Sequence, residues 1–477
     1  MASLEDPETP REPLSAIDHA WLRMDEPSNL MIINGVLVLD GPADFERIKA
    51  LLKRRLSPIP RFHQRIVNHD GEPYWEEDPE LDIERHVHRL ELPAPGDDGV
   101  LRDVVSRLMT EPLDPRRPLW SFHLLAGYKG QGSLLMGRLH HCIGDGMALL
   151  LVLLSLTDVP PDVSPEMPPE TLPGPAAAEE LDSPFTDLFR RPARASEAAR
   201  ELAERIMPDG IRLMQQSAEA FRSMSPWATG AASIGAFTRL VLRLPDPSTV
   251  FKGPLGIPKR VAWSEAIAVE DVKEVGRALA GTVNDVLLSA MTGGLRRYLL
   301  HKGKSADGLN FRAAMPVNLR SLDDMADLGN QFGLIFLSLP VGIADAVERL
   351  AELRRRSLAL RRSAEPVVVY AILKLLGVVP LAVQRLVVSL FAAKTTAVMT
   401  NVPGPREELT LAGKPIRDIF FWVPQSGRVG LGISIFSYAG HVRLGIASDT
   451  GLIPDPELVV AGFHEEFAAL QERARQG

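Results

Sequence analysis

At 477 residues, 45% apolar and 24% charged, the chain has the make-up of a globular protein too long for one hydrophobic core, and its length suits two or three domains. A formal net charge of −8 argues against a nucleic-acid binder, and the single cysteine, Cys142, rules out an intrachain disulfide or a cysteine-based zinc site. The start, MASLEDPETPREPLSAIDHAW, has neither the basic flank nor the apolar core of a signal peptide, so a cytoplasmic location is expected.

In chain order, LMIINGVLVLD predicts a strand, FERIKALLKRRL a helix, and FHLLAGY and SLLMGRLHH two further strands. The apolar run MALLLVLLSL then predicts a buried helix. Seven prolines between residues 158 and 175 forbid helix or sheet interior, which predicts a linker. The expected division is a first domain over 1–158, a proline-rich linker over 159–185, and bridging helices with a second domain over 186–477. After the helical bridge, DVKEVGRALA and NDVLLSAMTGGLRRYLLH predict helices, and NFRAAMPVNLR and FGLIFLSLPV predict strands. LGISIFSY and HVRLGIAS, joined by Ala-Gly, predict a hairpin. The fold class is α/β, with two domains of similar kind.

Residues 349–399 carry a basic stretch, VERLAELRRRSLALRRS, followed by apolar segments that Lys374, Arg385 and Lys394 interrupt and Pro380 breaks. None of this predicts a membrane span. Two readings stand: a set of core helices, or an interfacial segment with arginines on anionic lipid and its apolar side down.

The stretch with chemical content is GRLHHCIGDGMALL, residues 137–150. Side chains alternate along a strand, so His140 and His141 point in opposite directions and cannot readily share a metal ion. No other His/Asp/Glu cluster of metal spacing appears, so no metal is expected. One histidine stands at the mouth of a strand-to-helix crossing, where neutral imidazole is suited to take a proton from a hydroxyl near pH 7. Gly144 and Gly146 would supply positive backbone dihedrals and close approach of a substrate. Asp145 would hold the turn, with Arg312 or Arg320 as partner. A hydrogen-bonded core histidine is the competing reading.

The form His-His-x-x-x-Asp-Gly, His140 to Gly146, resembles the signature of the CoA-dependent acyltransferase superfamily. PLSAIDHAWLRMDEPSN, PLDPRRPLW, TVNDVLLSA, RAAMPVNLR, GNQFG and TNVPGP follow in order around it. Together they resemble the bacterial wax ester synthase/diacylglycerol acyltransferase family over nearly the whole chain. The resemblance implies two chloramphenicol-acetyltransferase-like domains, each a mixed sheet with flanking helices, and an active-site tunnel between them. It implies transfer of a long acyl group from acyl-CoA to a fatty alcohol or diacylglycerol, with no cofactor beyond the acyl-CoA substrate. By the same match His141 is the general base, His140 a supporting group and Asp145 architectural. Gly146, Asn284 and Asp285 belong to the site.

Thr282 to Asp285 also fits a helix capping box, so Asn284 and Asp285 have a purely structural reading as well. Pro118 and Trp120 are candidates for the tunnel wall, with packing beneath it as the alternative. Gly144 and Cys142 lie within reach of substrate. The Cys142 side chain is expected to point away from His141, which disfavours a nucleophilic role. The insoluble acceptors imply attachment to the inner membrane face or to lipid droplets. Two rival functions are a carrier-dependent transferase building polyketide-derived esters, and a non-catalytic lipid-droplet coat; a base in a tunnel disfavours the coat.

Overall fold

The computed structural model describes residues 11–158, 200–222, 235, 237–240, 242–320, 328–361, 363–425 and 429–476. The expected linker at 159–185 lies outside these residues, as does the start of the bridging segment. The bridge is helical over 200–206.

The first half contains β1 (Arg11–Pro13), α1 (Ala16–Arg23), β2 (Ile32–Leu39), α2 (Phe45–Leu56), β3 (Gln64–His69), β4 (Glu72–Glu77) and β5 (Val87–Glu91). It continues with α3 (Asp98–Met109), β6 (Trp120–Tyr128), β7 (Gly132–His140) and α4 (Gly146–Leu156). Helix α2 starts where Asp44 accepts the Arg47 amide at 2.7 Å, and buries Ile48, Leu51, Leu52 and Leu56 on one face. Helix α4 has no polar face because it is buried nearly all round. Its C-terminal end is held by Arg55, fully buried, which donates to the Leu156 carbonyl and pairs with Asp158 at 3.0 Å. That ion pair joins residues 103 apart, and no local pattern announces it.

The second half contains α5 (Pro208–Arg222), β8 (Lys259–Trp263), β9 (Ile267–Ala268), α6 (Val269–Ala278), α7 (Val283–His301), β10 (Phe311–Asn318) and β11 (Phe332–Leu339). Next come α8 (Ala346–Arg361), α9 (Glu365–Leu376), α10 (Leu381–Ala393), β12 (Ala397–Pro403), β13 (Thr410–Leu411) and β14 (Lys414–Trp422). The hairpin β15 (Leu431–Tyr438) and β16 (His441–Asp449) precedes a final helix, α11 (Pro456–Gln476). The hairpin turns through Ala439 and Gly440 at φ 46° and 79°, the double positive φ that its two-residue connection requires.

Two mixed sheets carry the architecture. One runs β11-β10-β12-β15-β16-β8, and the other β13-β14-β2-β7-β6-β5. The second of these crosses the halves: β14 pairs antiparallel with β2, Phe420 opposite Val36 and Trp422 opposite Asn34. The expected two-sided burial of β7 holds, with Leu135 and Leu134 in different apolar clusters on its two faces. One of those clusters runs on from α4 to Phe332, Leu373 and Leu376, so the two halves share a core.

The arginine-rich helix α8 is not a bare cationic face. Arg349 is fully buried and pairs with Glu466, while Glu352 takes both Arg355 and Arg356, each at 2.7 Å. These two guanidiniums pull the Glu352 carboxyl down to about 2. Pro380 ends the run between α9 and α10, as the sequence predicts. Among the described residues, no helix is long and apolar enough to cross a membrane.

Candidate active site

Strand β7 ends at His140, and the chain turns through Cys142 and Ile143 into α4. The two histidine rings have different surroundings. His140 is buried; its Nδ1 accepts the Cys142 amide at 3.2 Å, and its Nε2 lies 3.8 Å from Asp25. His141 lies flat on the indole of Trp21, centroids 4.2 Å apart and planes within 11°, with Phe332 at 5.7 Å. Its main chain is fixed at both ends: the amide donates to the Met31 carbonyl and the carbonyl accepts from Asn330 Nδ2, both at 2.7 Å. Burial holds its pKa down at about 4, so the imidazole is neutral at physiological pH.

Asp145 is the N-cap of α4. Its Oδ1 accepts the amides of Met147 and Ala148 at 3.1 and 3.0 Å, and its Oδ2 accepts the Gln331 amide at 3.0 Å and Arg320 at 3.2 Å. Of the two arginines proposed as its partner, Arg320 is the one; Arg312 pairs with Asp246 at 2.8 Å. A carboxylate with four donors is committed to holding the turn.

The glycines act differently from expectation. Neither Gly144 nor Gly146 has a positive φ. Gly144 is needed for close approach: it bridges in parallel to Gly329, and a Cβ there would lie 3.0 Å from Ala148. Gly146 is exposed and opens α4. The positive φ belongs to Gly329, at 104°, whose carbonyl accepts the Asp145 amide and whose own amide donates to Ile143.

Four further residues at the site lie in motifs of the sequence without standing out there. Trp21 and Asp18 lie in PLSAIDHAWLRM, and Asn330 and Phe332 in GNQFG. Asn330 Nδ2 donates to Asp18 and to the His141 carbonyl, both at 2.7 Å, tying α1, the histidine turn and the Gly329 loop together. Burial raises the Asp18 pKa, while Asn330 and Ser15 favour its charged form.

Other candidates have structural partners of their own. Thr282 and Asp285 make the full capping box of α7, and Asn284 bonds Asn401 at 2.8 Å; none of these bonds reaches the histidine turn. Trp120 is buried, donates to the Phe62 carbonyl at 2.9 Å and stacks on His86; Pro118 is buried beside it. Cys142 is fully buried, and burial pushes its thiol well up. Among the described residues no cluster of metal-ligating groups occurs.

Two spaces are lined by neighbours of the motif. An apolar cavity of about 600 Å³, mouth included, is walled by Trp21, Leu334, Phe336, Leu373 and Phe391. A smaller, open cleft of about 330 Å³, mouth included, has mixed walls, among them Asn29, Asn34, Gln425, Met109 and Ile32, the last being the cross-strand partner of His140.

The low pKa of His141 has a consequence for pH. The unfolded chain protonates a histidine near 6.5, whereas His141 resists until about 4 and His123, buried beside Arg138, until about 3. Stability should therefore fall as pH drops below about 6.5. If His141 acts as a base, kcat/KM should stay flat from pH 8 to about 5 and fall toward 4, in step with the histidine rather than at 6.5. An acid limb near 6.5 in protein still folded by circular dichroism would contradict the depressed pKa of His141.

The wax ester synthase/diacylglycerol acyltransferase catalytic domain matches residues 14–287, and the family's C-terminal domain matches 328–471. A probable diacylglycerol O-acyltransferase of Mycobacterium tuberculosis is 26% identical over 96% of this chain and 95% of its own. The structure is similar to that of the wax ester synthase/diacylglycerol acyltransferase from Marinobacter aquaeolei VT8 (TM-score 0.67, 21% identity, covering 97% of this chain and 100% of that one). It is also similar to the first condensation domain of the calcium-dependent antibiotic synthetase (TM-score 0.57, 15% identity, 98% and 96%). With both family domains present in order across most of its length, the chain is an acyltransferase and belongs to the wax ester synthase/diacylglycerol acyltransferase family.

Proposed function

We propose that this protein transfers a long acyl group from acyl-CoA to a fatty alcohol or a diacylglycerol, with His141 as general base. The observation that carries the reading is a neutral imidazole lying on Trp21, the residue that also walls an apolar cavity. In the proposed step the acceptor hydroxyl oxygen attacks the thioester carbonyl carbon while His141 takes the hydroxyl proton. The tetrahedral intermediate collapses, the C–S bond breaks, and the proton passes from His141 to the departing thiolate, leaving ester and free CoA. The apolar walls of the larger cavity suit the hydrocarbon of the acyl chain or acceptor. The water-insoluble acceptor reaches the enzyme from a lipid phase, which makes peripheral association with membrane or droplet part of this reading.

The test is incubation with radiolabelled palmitoyl-CoA and either hexadecanol or dioleoylglycerol, with products separated by thin-layer chromatography. Label in wax ester or triacylglycerol is expected; label remaining in palmitoyl-CoA or free acid with both acceptors would reject the reading.

Transfer is proposed to be direct, in a ternary complex. The Cys142 thiol is buried and protonated, so it does not carry the acyl group between substrates. Cys142→Ala should keep at least half of wild-type activity, and initial-rate plots against both substrates should intersect. A trapped acyl-enzyme in mass spectrometry, or parallel lines, would overturn this.

A further inference from the structure

Helices α9 and α10 turn one side to the apolar cavity and the other to solvent. On α9, Val369, Ile372, Leu373 and Leu376 line the cavity at helical spacing, and on α10 Val388 and Phe391 do so. The outer sides are as apolar as the inner ones. Val378, Leu386, Leu375 and Leu390 are 71, 61, 58 and 52% exposed, and Val383 and Leu381 are 44 and 38% exposed. At the far end of α10, the Asp246 amide donates to the Ala393 carbonyl, which brings the neighbouring Leu242 and Leu244, 73 and 77% exposed, to the same region. So many exposed apolar side chains on two consecutive helices call for an occupant.

The charge pattern says which. Residues 366–394 contain Lys374, Arg385 and Lys394 and no acidic residue, in a chain of net charge −8. Lys374 and Arg385 are exposed among the leucines, whereas the preceding acid, Glu365, is buried and paired with Arg243 at 2.5 Å. A greasy face with scattered cations and no anions complements an anionic lipid surface. Against a second copy of itself it would place like charges together.

We infer that the outer face of α9 and α10 rests on an anionic lipid surface and that the cavity behind it receives a hydrocarbon chain from that lipid. Of the 349–399 segment that the sequence offered as interfacial, the docking surface is the apolar part, α9 and α10, and not the arginine-rich α8, where Arg349, Arg355 and Arg356 are paired. The assignment rests on the proposed function only for the chain that enters; docking itself is separable. Gly377, between α9 and α10, keeps this segment seated on α1, since a Cβ there would collide with the Ala16 carbonyl oxygen at the start of that helix, which carries Trp21.

The test is co-sedimentation of the full chain with phosphatidylcholine vesicles containing or lacking phosphatidylglycerol. It compares wild type, Leu386→Glu/Leu390→Glu, and Lys374→Glu/Arg385→Glu. All four positions are exposed, so the variants should fold, and equal melting curves will show it. The wild type should bind anionic vesicles at least tenfold more than neutral ones, and more weakly but still measurably in high salt. The leucine variant should lose at least tenfold of the binding on both vesicle types, and the charge variant should lose the anionic preference. Both should retain turnover on a short, water-soluble alcohol and acyl-CoA. Equal binding of wild type and leucine variant would overturn the assignment. So would a wild-type dimer that the leucine variant converts to monomer, which would make the face a contact between copies. Vesicle binding without acyl transfer to any acceptor would sink the proposed function and leave the docking surface standing.

Discussion

Replacing His141 with alanine is expected to cut kcat by about 10²- to 10⁴-fold, the usual contribution of a general base. The fold should survive, because the two hydrogen bonds that fix residue 141 are made by its backbone amide and carbonyl. What alanine removes is the imidazole face on Trp21, and with it the proposed proton acceptor. Acyl-CoA binding, measured by calorimetry, should stay within a few-fold of wild type. His141→Gln keeps a polar group of similar reach without a usable base and should be as inactive as alanine. If either variant kept more than half of the wild-type rate, the proton would have to go elsewhere.

The second large effect is on stability. Asp145→Ala removes the cap of α4, worth about 1 kcal/mol, and leaves the Arg320 guanidinium buried without this carboxylate. Breaking a buried pair by deleting one member costs about 3–5 kcal/mol, so chemical denaturation should show a loss of that order. Asp145→Asn keeps a good N-cap and a hydrogen-bond acceptor, so it should lose distinctly less. Activity of both should follow the folded fraction. Full stability with activity abolished in Asp145→Asn would instead put this carboxylate at the reacting atoms.

Much of this was legible in the sequence, for local reasons. FERIKALLKRRL carries its cap and its apolar face within one segment, and Thr282 and Asp285 sit at the spacing a capping box requires. The Ala-Gly connection announced its hairpin, and His-His-x-x-x-Asp-Gly announced its turn. What escaped was decided by residues distant in the chain. Arg312 lies in β10 and Arg320 just past its end, and only the course of the chain after Asn318 brings the second one to Asp145. The positive φ was expected at Gly144 or Gly146, but the loop that meets them carries it, at Gly329. Arg349 reads as one more surface arginine in a basic helix until Glu466, 117 positions away, is packed against it. Trp21 looks like ordinary core until the histidine is seen lying on it.

The pairing of β14 with β2 has a consequence for synthesis. A ribosome releases β2, β6 and β7 early, but the strand that pairs with the open edge of β2 is not made until residues 414–422. At ordinary elongation rates, the wait after β7 is roughly 15 to 60 s. Throughout it, β2 presents unpaired amides and carbonyls beside Val36, which Phe420 and Trp422 later help to enclose. A chain stopped before Lys414 never closes that edge, and aggregation, rather than a smaller folded unit, is its expected fate.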